Sequence, residues 1–340
     1  MEIKENVSLA SLTTMRVGGL ARYFSSVSTV EELYEVLLFA KEKKLPFFVL
    51  GGGSNVLARD EGFSGVVIKM SCLGVQYKKI KENIRVTVGA GEILDKIVVQ
   101  TIWKEIHGLE NFSFIPGTVG AAVVGNIGAY GVQIEDIVEW VEAIDINTLK
   151  IKKFTNAKCV FEYRDSFFTT KAGKKYIITK VSFLLSTQKK FHLEYEDIIN
   201  YIKIKNIKIL TLPIIRNILQ EIRAKKIPNL RGIGSAGSFF RNPVVSKRKL
   251  QKLIQIYPQI KYYPVDENKV KIAAAWLLDH IGNYNGFREG NVGVCATQSL
   301  FILSYGDTNA KEITTFAERI IRDIKEKTGI TLEWEVKIIQ

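Results

Sequence analysis

Histidine, methionine and cysteine each occur only three times in 340 residues, and proline seven times. With His107, His192 and His280 as the whole supply, a serine–histidine–acid triad has poor raw material. Cys72, Cys159 and Cys295 lie far apart and show no metal-ligand spacing. Neither a disulfide framework nor a metal site is expected, and free thiols in a reducing compartment are. No uninterrupted apolar run approaches the ~18 residues of a membrane span, and the N-terminal MEIKENVSLA has no apolar signal core. A cytoplasmic protein with no membrane insertion is therefore expected. Both common phosphate loops are missing: there is no G-x-x-x-x-G-K-[ST], and no G-x-G-x-x-G follows an opening strand.

What is present is enough apolar material, 46% of the chain, to fill two or three domains. Lysine and arginine exceed the acids by 48 to 35, a net charge of +13. The basic residues come as scattered pairs such as Lys43-Lys44 and Lys152-Lys153, without a long basic tract or an aromatic platform between them. That pattern argues against a nucleic-acid partner and fits an anionic small molecule over a lysine-rich solvated surface.

Several elements can be read directly. Thr29 caps a helix, with Glu32 placed as its capping-box partner and Leu33, Val36, Leu37 and Ala40 on one face. Strand 47–50 then runs into GGGSN at residues 51–55. Strands are expected near 65–70 and 84–88, a helix over 92–106, and strands over 137–146 and 176–185. Further helices are expected over 213–226, ended before Pro228, and over 246–257, 271–281 and 309–327. The last is capped by Asn309 and stopped by Gly329. ITLEWEVKII at the end alternates, so that Ile330, Leu332, Trp334, Val336 and Ile338 face one way and Glu333 and Glu335 the other.

Two stretches are built of small residues. One is GGGSN; the other is IPGTVGAAVVGNIGAYG at residues 115–131, with five glycines and three alanines among seventeen positions. Small side chains let backbone amides approach a ligand closely, and runs of such amides suit phosphate. Either stretch alone reads as a tight loop. Together with TTMRVGG (13–19), YRDS (163–166), GSAGSFFRNP (234–243) and LEWEV (332–336), in this order over nearly the whole chain, they resemble the UDP-N-acetylenolpyruvoylglucosamine reductase family.

That resemblance implies an α+β protein: a two-lobed FAD-binding domain of the vanillyl-alcohol-oxidase type, lobes 1–70 and 71–212, and a C-terminal α/β substrate-binding domain, 213–340. The last strand, with Glu335, is expected to return to the flavin site. The resemblance further implies noncovalent FAD held by Gly51, Gly52, Gly53, Ser54, Asn55, Pro116, Gly117, Thr118, Gly120, Asn126, Gly128 and Ala129. NADPH is the implied co-substrate, and Arg164, Ser238 and Glu335 the implied catalytic residues. A UDP-sugar is the implied substrate, touched by Tyr195, Lys226, Asn242, Tyr263 and Gln298. HLEYEDIINY at 192–201 resembles the tyrosine loop of one subtype, in which the tyrosine matching Tyr195 closes over substrate. Asn285 stands where the family often has a phosphate-binding lysine, with Arg288 nearby as a candidate replacement. The residues taken singly have plainer readings: a surface Arg164 paired with Glu162 or Asp165, a turn serine at Ser238, cations on a helix C-terminus at Arg223, Lys225 and Lys226. Two rival functions stay open, an FAD-dependent sugar or alcohol oxidase of the same fold and a basic nucleotide-binding module. The favoured oligomeric state is a monomer.

Overall fold

The computed structural model describes residues 1–227 and 231–340, so the expected helix stop at Pro228 lies outside the described residues. The chain divides into two compact units. One contains residues 1–6, 22–52 and 64–225; the other contains 7–21, 53–63 and 226–340.

In the first unit, helix α1 (Val30–Glu42) forms where the sequence predicts it. Thr29 accepts the Glu32 N–H at 3.1 Å, while the Glu32 carboxylate reaches one residue further back, to the Ser28 N–H. Its apolar face, Leu33, Val36, Leu37 and Ala40, packs on Val27, Val66, Ile68 and Met70 of a four-stranded sheet. That sheet has the order Lys4–Ser8, Leu20–Val27, Phe63–Met70, Phe47–Leu50. The second sheet is five-stranded and antiparallel, in the order Ile151–Thr155, Val138–Asp145, Tyr176–Ser186, Asn83–Gly89, Val75–Ile80. Against it pack α2 (Leu94–Trp103) and α3 (Val119–Val124), through Leu94, Ile97, Val98, Val119 and Val123. Two further helices, α4 (Glu196–Ile204) and α5 (Leu212–Lys226), share a small core of Ile198, Ile215, Ile218, Leu219 and Ile222.

The second unit is built on a four-stranded antiparallel sheet ordered Ile233–Ser238, Gln298–Tyr305, Val292–Cys295, Arg288–Glu289. A three-stranded sheet, Val244–Ser246, Lys269–Ile272 and Tyr262–Pro264, sits with α6 (Lys247–Ile256). The helix expected over 271–281 is shorter: strand residues run to Ile272, and α7 (Ala274–Leu277) passes into a π turn at 278–282. Helix α8 (Ala310–Thr328) has its Asn309 cap and stops at Gly329, in the left-handed region at φ +64°.

These units cross the boundaries that consecutive segments suggest at 70 and 212. TTMRVGG goes with the C-terminal part because Met15 and Val17 are buried beside Phe239, Phe240 and Val336. Val56–Ala58 goes with it because it pairs in parallel with Lys337–Ile339. Most of α5 goes the other way, since its apolar stripe packs on α4. The final alternating stretch also differs from expectation. Ile330, Leu332 and Val336 are buried, but the phase then slips, and Ile339 rather than Ile338 is fully enclosed by its pairing with Ala58.

Candidate active site

In the first unit Gly51 and Gly52 pack against Thr118 and Gly117 of the second glycine stretch. A Cβ on Gly52 would lie 2.9 Å from Gly117 Cα, and one on Gly51 would lie 2.6 Å from Thr118 Oγ1. Gly117 itself has φ +113°, a conformation L-residues rarely adopt. Both loops must therefore be bare here whatever they bind. Among the described residues, the N–H groups of Gly52, Gly53, Ser54, Gly117 and Thr118 make no backbone hydrogen bond, whereas those of Val119 and Gly120 donate to Glu92 and Ala90 at 2.9 Å. The free amides of Gly52, Gly117 and Thr118, all in the first unit, are available to an oxyanion, and the smallness of Gly120 serves its approach to Ala90.

Past α3 the stretch ends in a hairpin, Gly128–Ala129 paired with Val132–Gln133. Asn126 is fully buried and uses both ends of its amide inside the protein: Nδ2 donates to the Glu162 carbonyl at 2.9 Å, and Oδ1 accepts the Glu135 N–H at 3.2 Å. Its side chain thus brackets YRDS rather than facing a ligand. Arg164 stands at the tip of the tight 162–165 turn with φ +55° and donates from Nη2 to the Gly128 carbonyl at 3.1 Å. The Asp165 carboxylate meanwhile accepts from the Thr169 hydroxyl and the Ser166 N–H. The arginine is thereby held against the end of the glycine loop, not simply laid on the surface.

Tyr195 is the residue before α4, partly exposed, with its ring edge-on to Tyr130 at 5.3 Å. Buried Asn111 ties the same two segments, donating to the carbonyls of Tyr130 (3.1 Å) and His192 (2.9 Å). A further bracket fixes the entry to the loop. Asp95 accepts the Phe114 N–H at 2.6 Å and both Nη atoms of Arg216 at 2.6 and 2.8 Å, while the Arg216 guanidinium lies 3.9 Å from the Phe114 ring centroid. No sequence signal marks Asn111, Asp95 or Arg216 as partners, because their contacts span 19 to 121 positions.

The second unit holds the remaining residues. Ser238 ends strand Ile233–Ser238 after a bulge at Ser235–Ser238, with Gly237 at φ +74°. The turn hydrogen bond is made by Ser235, whose hydroxyl accepts the Gly237 N–H at 3.2 Å. Glu335 is brought beside Ser238 by the backbone: its N–H donates to the Phe239 carbonyl at 2.8 Å, and Phe240 bridges Trp334. The next residues tie Glu335 to the first glycine loop, since the Lys337 N–H donates to the Asn55 carbonyl and Asn55 Nδ2 reaches the Glu335 carbonyl at 3.4 Å.

Four expected substrate residues fall into two pairs. Asn242 caps α7, its Oδ1 accepting the Ala274 N–H at 2.8 Å, at the end of the small sheet where half-exposed Tyr263 faces Lys271 in register. Lys226 and Gln298 are joined through Thr297, whose hydroxyl donates to the Lys226 carbonyl at 2.7 Å. Asn285 braces that turn, donating to the Ala296 carbonyl at 2.9 Å and to Ser299 at 3.1 Å. Arg288 is no evident replacement for a lysine there: it stacks 4.1 Å from the Tyr305 ring centroid and donates to the Gly290 carbonyl. The cysteines are buried free thiols, and burial pushes Cys159 up to about 12, away from thiolate chemistry. Among the described residues no helix is long and apolar enough to cross a membrane.

Residues 21–152 match the FAD binding domain family, and residues 228–339 match the C-terminal domain of UDP-N-acetylenolpyruvoylglucosamine reductase. The UDP-N-acetylenolpyruvoylglucosamine reductase of Flavobacterium johnsoniae is 37% identical over 100% of both chains, and that of Pseudomonas aeruginosa is 34% identical over 98% of each. The crystal structure of the enzyme from Thermus caldophilus shares the fold, with a TM-score of 0.67 at 24% identity over 100% of this chain and 98% of that one. The fold class is thus the expected one, an FAD-binding part followed by a C-terminal α/β part, and the FAD binding domain match agrees with FAD as the cofactor.

Proposed function

Because the chain belongs to the UDP-N-acetylenolpyruvoylglucosamine reductase family, we propose that it reduces the enolpyruvyl ether of UDP-N-acetylglucosamine to UDP-N-acetylmuramate, with NADPH as reductant, in the cytoplasmic synthesis of peptidoglycan precursors. The observation that carries this reading is the pairing of Glu335 with the residue next to Ser238. A reductase of a carbon–carbon double bond needs a proton donor and a group that steadies the adjoining carboxylate. An oxidase of the same fold, or a nucleotide-binding module, needs neither.

FAD, when bound, would supply the redox chemistry that links the nicotinamide to the double bond. Reduction at the carbon remote from the substrate carboxylate drives negative charge into that carboxylate. Arg164 would bind it with a forked, charge-assisted contact, and a protonated Glu335 would donate a second hydrogen bond to the same group. Ser238 would hold the proton that is delivered to the carbon beside the carboxylate. Lys226, braced through Thr297, together with Gln298 and Tyr195, would contact the UDP-sugar.

The two half-reactions separate these roles. Ser238→Ala is expected to leave flavin bleaching by NADPH nearly unchanged, and to slow reoxidation by the enolpyruvyl substrate roughly 10²–10⁴-fold, the range for loss of a positioned proton donor. Equal slowing of both half-reactions would assign the serine to flavin positioning, and no slowing of either would remove it from proton transfer.

A further inference from the structure

TTMRVGG belongs to the sequence signature but has no role in the chemistry above. In the fold it lies against the second half of the first glycine loop. The Thr14 N–H donates to the Gly53 carbonyl at 3.0 Å, the Thr14 hydroxyl donates to the Ser235 carbonyl at 2.6 Å, and a Cβ on Gly53 would fall 3.0 Å from Thr13 Cα. A hollow of about 570 Å³ opens beside it, lined by Ala10, Ser11, Thr13, Thr14, Arg16 and Ile233. That volume suits part of a nucleotide. Among the described residues of its wall, Arg16 is the charged one.

Two observations mark this wall as more than packing. Thr13 is 6% exposed, and its hydroxyl is buried without a hydrogen-bond partner among the described residues. Such a group is costly unless something satisfies it. Arg16 is exposed at φ +62°, a conformation that costs a non-glycine residue on the order of 1 kcal/mol. Among the described residues its guanidinium makes no hydrogen bond or ion pair.

A diphosphate supplies the missing charge balance. FAD carries two phosphate charges, and neither GGGSN nor residues 115–131 contains a lysine or arginine. Backbone amides contribute partial charges only, so a cation placed beside them adds full charge to the balance. We propose that Arg16, presented by TTMRVGG beside Gly53, is the cation that binds the FAD diphosphate, with the Thr13–Thr14 backbone as its mount. The inference rests on the flavin reading of the glycine loops and adds to it a residue outside both.

The test is FAD titration of the apoprotein, followed by flavin fluorescence, for wild type and for Arg16→Gly, Arg16→Leu and Arg16→Lys. Arg16→Gly relieves the left-handed strain, so its folding is not at risk. Loss of a charge-assisted contact is expected to raise the FAD Kd about ten- to a hundredfold in Arg16→Gly and Arg16→Leu, and less in Arg16→Lys. The dependence of Kd on salt is expected to flatten in the two neutral variants. Unchanged Kd values in both would overturn the inference alone. So would an effect confined to the NADPH KM, which would place the guanidinium on the nicotinamide coenzyme's phosphates. A wild-type apoprotein that took up no FAD would overturn the flavin reading together with this inference.

Discussion

Gly117 carries two constraints at once, a φ of +113° and a neighbour, Gly52, whose own Cβ would lie 2.9 Å from Gly117 Cα. From composition alone the small residues read as room for a ligand. In the fold they are also the contact between two loops, so a side chain there disturbs the protein before any flavin arrives. Gly117→Ala is expected to cost about 1–3 kcal/mol in backbone strain and to lower the unfolding midpoint of the apoprotein by several degrees, together with flavin content. Normal apoprotein stability with lost flavin would make the bare backbone a ligand requirement only. Asn126, which the family resemblance implies at the cofactor, also has a structural part, since its side chain donates to the Glu162 carbonyl under the Arg164 turn.

At the scale of elements, helix α5 is legible in the sequence from an apolar stripe of Ile214, Ile215, Ile218 and Ile222, but its partners are not. Arg216 reaches Asp95 on α2 across 121 positions, and Asp95 also holds Phe114, in the left-handed region at φ +63°, three residues before Gly117. Burial alone would push the Asp95 carboxyl up, yet the Arg216 hydrogen bonds and the Phe114 N–H bring it below its ordinary value of 3.8. A depressed carboxylate contributes stability above that value and loses it as pH falls through the folded-state value. Arg216→Leu is therefore expected to destabilise by about 1–3 kcal/mol at pH 7, with the deficit against wild type shrinking below pH 4 as Asp95 is protonated in both. Urea titrations at the two pH values measure this. A deficit that does not change with pH would assign the effect to lost packing on Phe114.

On the scale of the whole chain, the last residues close a circuit through the second unit. Lys337–Ile339 pairs with Val56–Ala58, the Arg59 N–H donates to the Ile339 carbonyl at 3.1 Å, and Ile339 is fully buried. Glu335, Asn55 and Gly53 thus share one backbone framework with Ser238. Removing residues 337–340 is expected to lower both flavin content and turnover although Glu335 is retained, whereas removing only exposed Gln340 is expected to be neutral. Flavin content after gel filtration checks both; full retention in the longer deletion would show that the framework stands without its last strand.

The order of the motifs carried the resemblance that implied the family, the cofactor and the catalytic residues, and spacing and alternation determined most helices and strands. Those properties are carried by local signals: glycine where backbone must be bare, a cap before an apolar stripe, alternation along a strand. Tertiary structure decided the rest. It set Glu335 beside Ser238 across nearly a hundred residues, joined TTMRVGG to the C-terminal core through Met15 and Val17, fixed Asn285 as a brace for the turn before Gln298, and left Arg16 as the charged wall of a hollow beside Gly53. Each of these depends on which surfaces meet in the fold, and no local pattern specifies the partner.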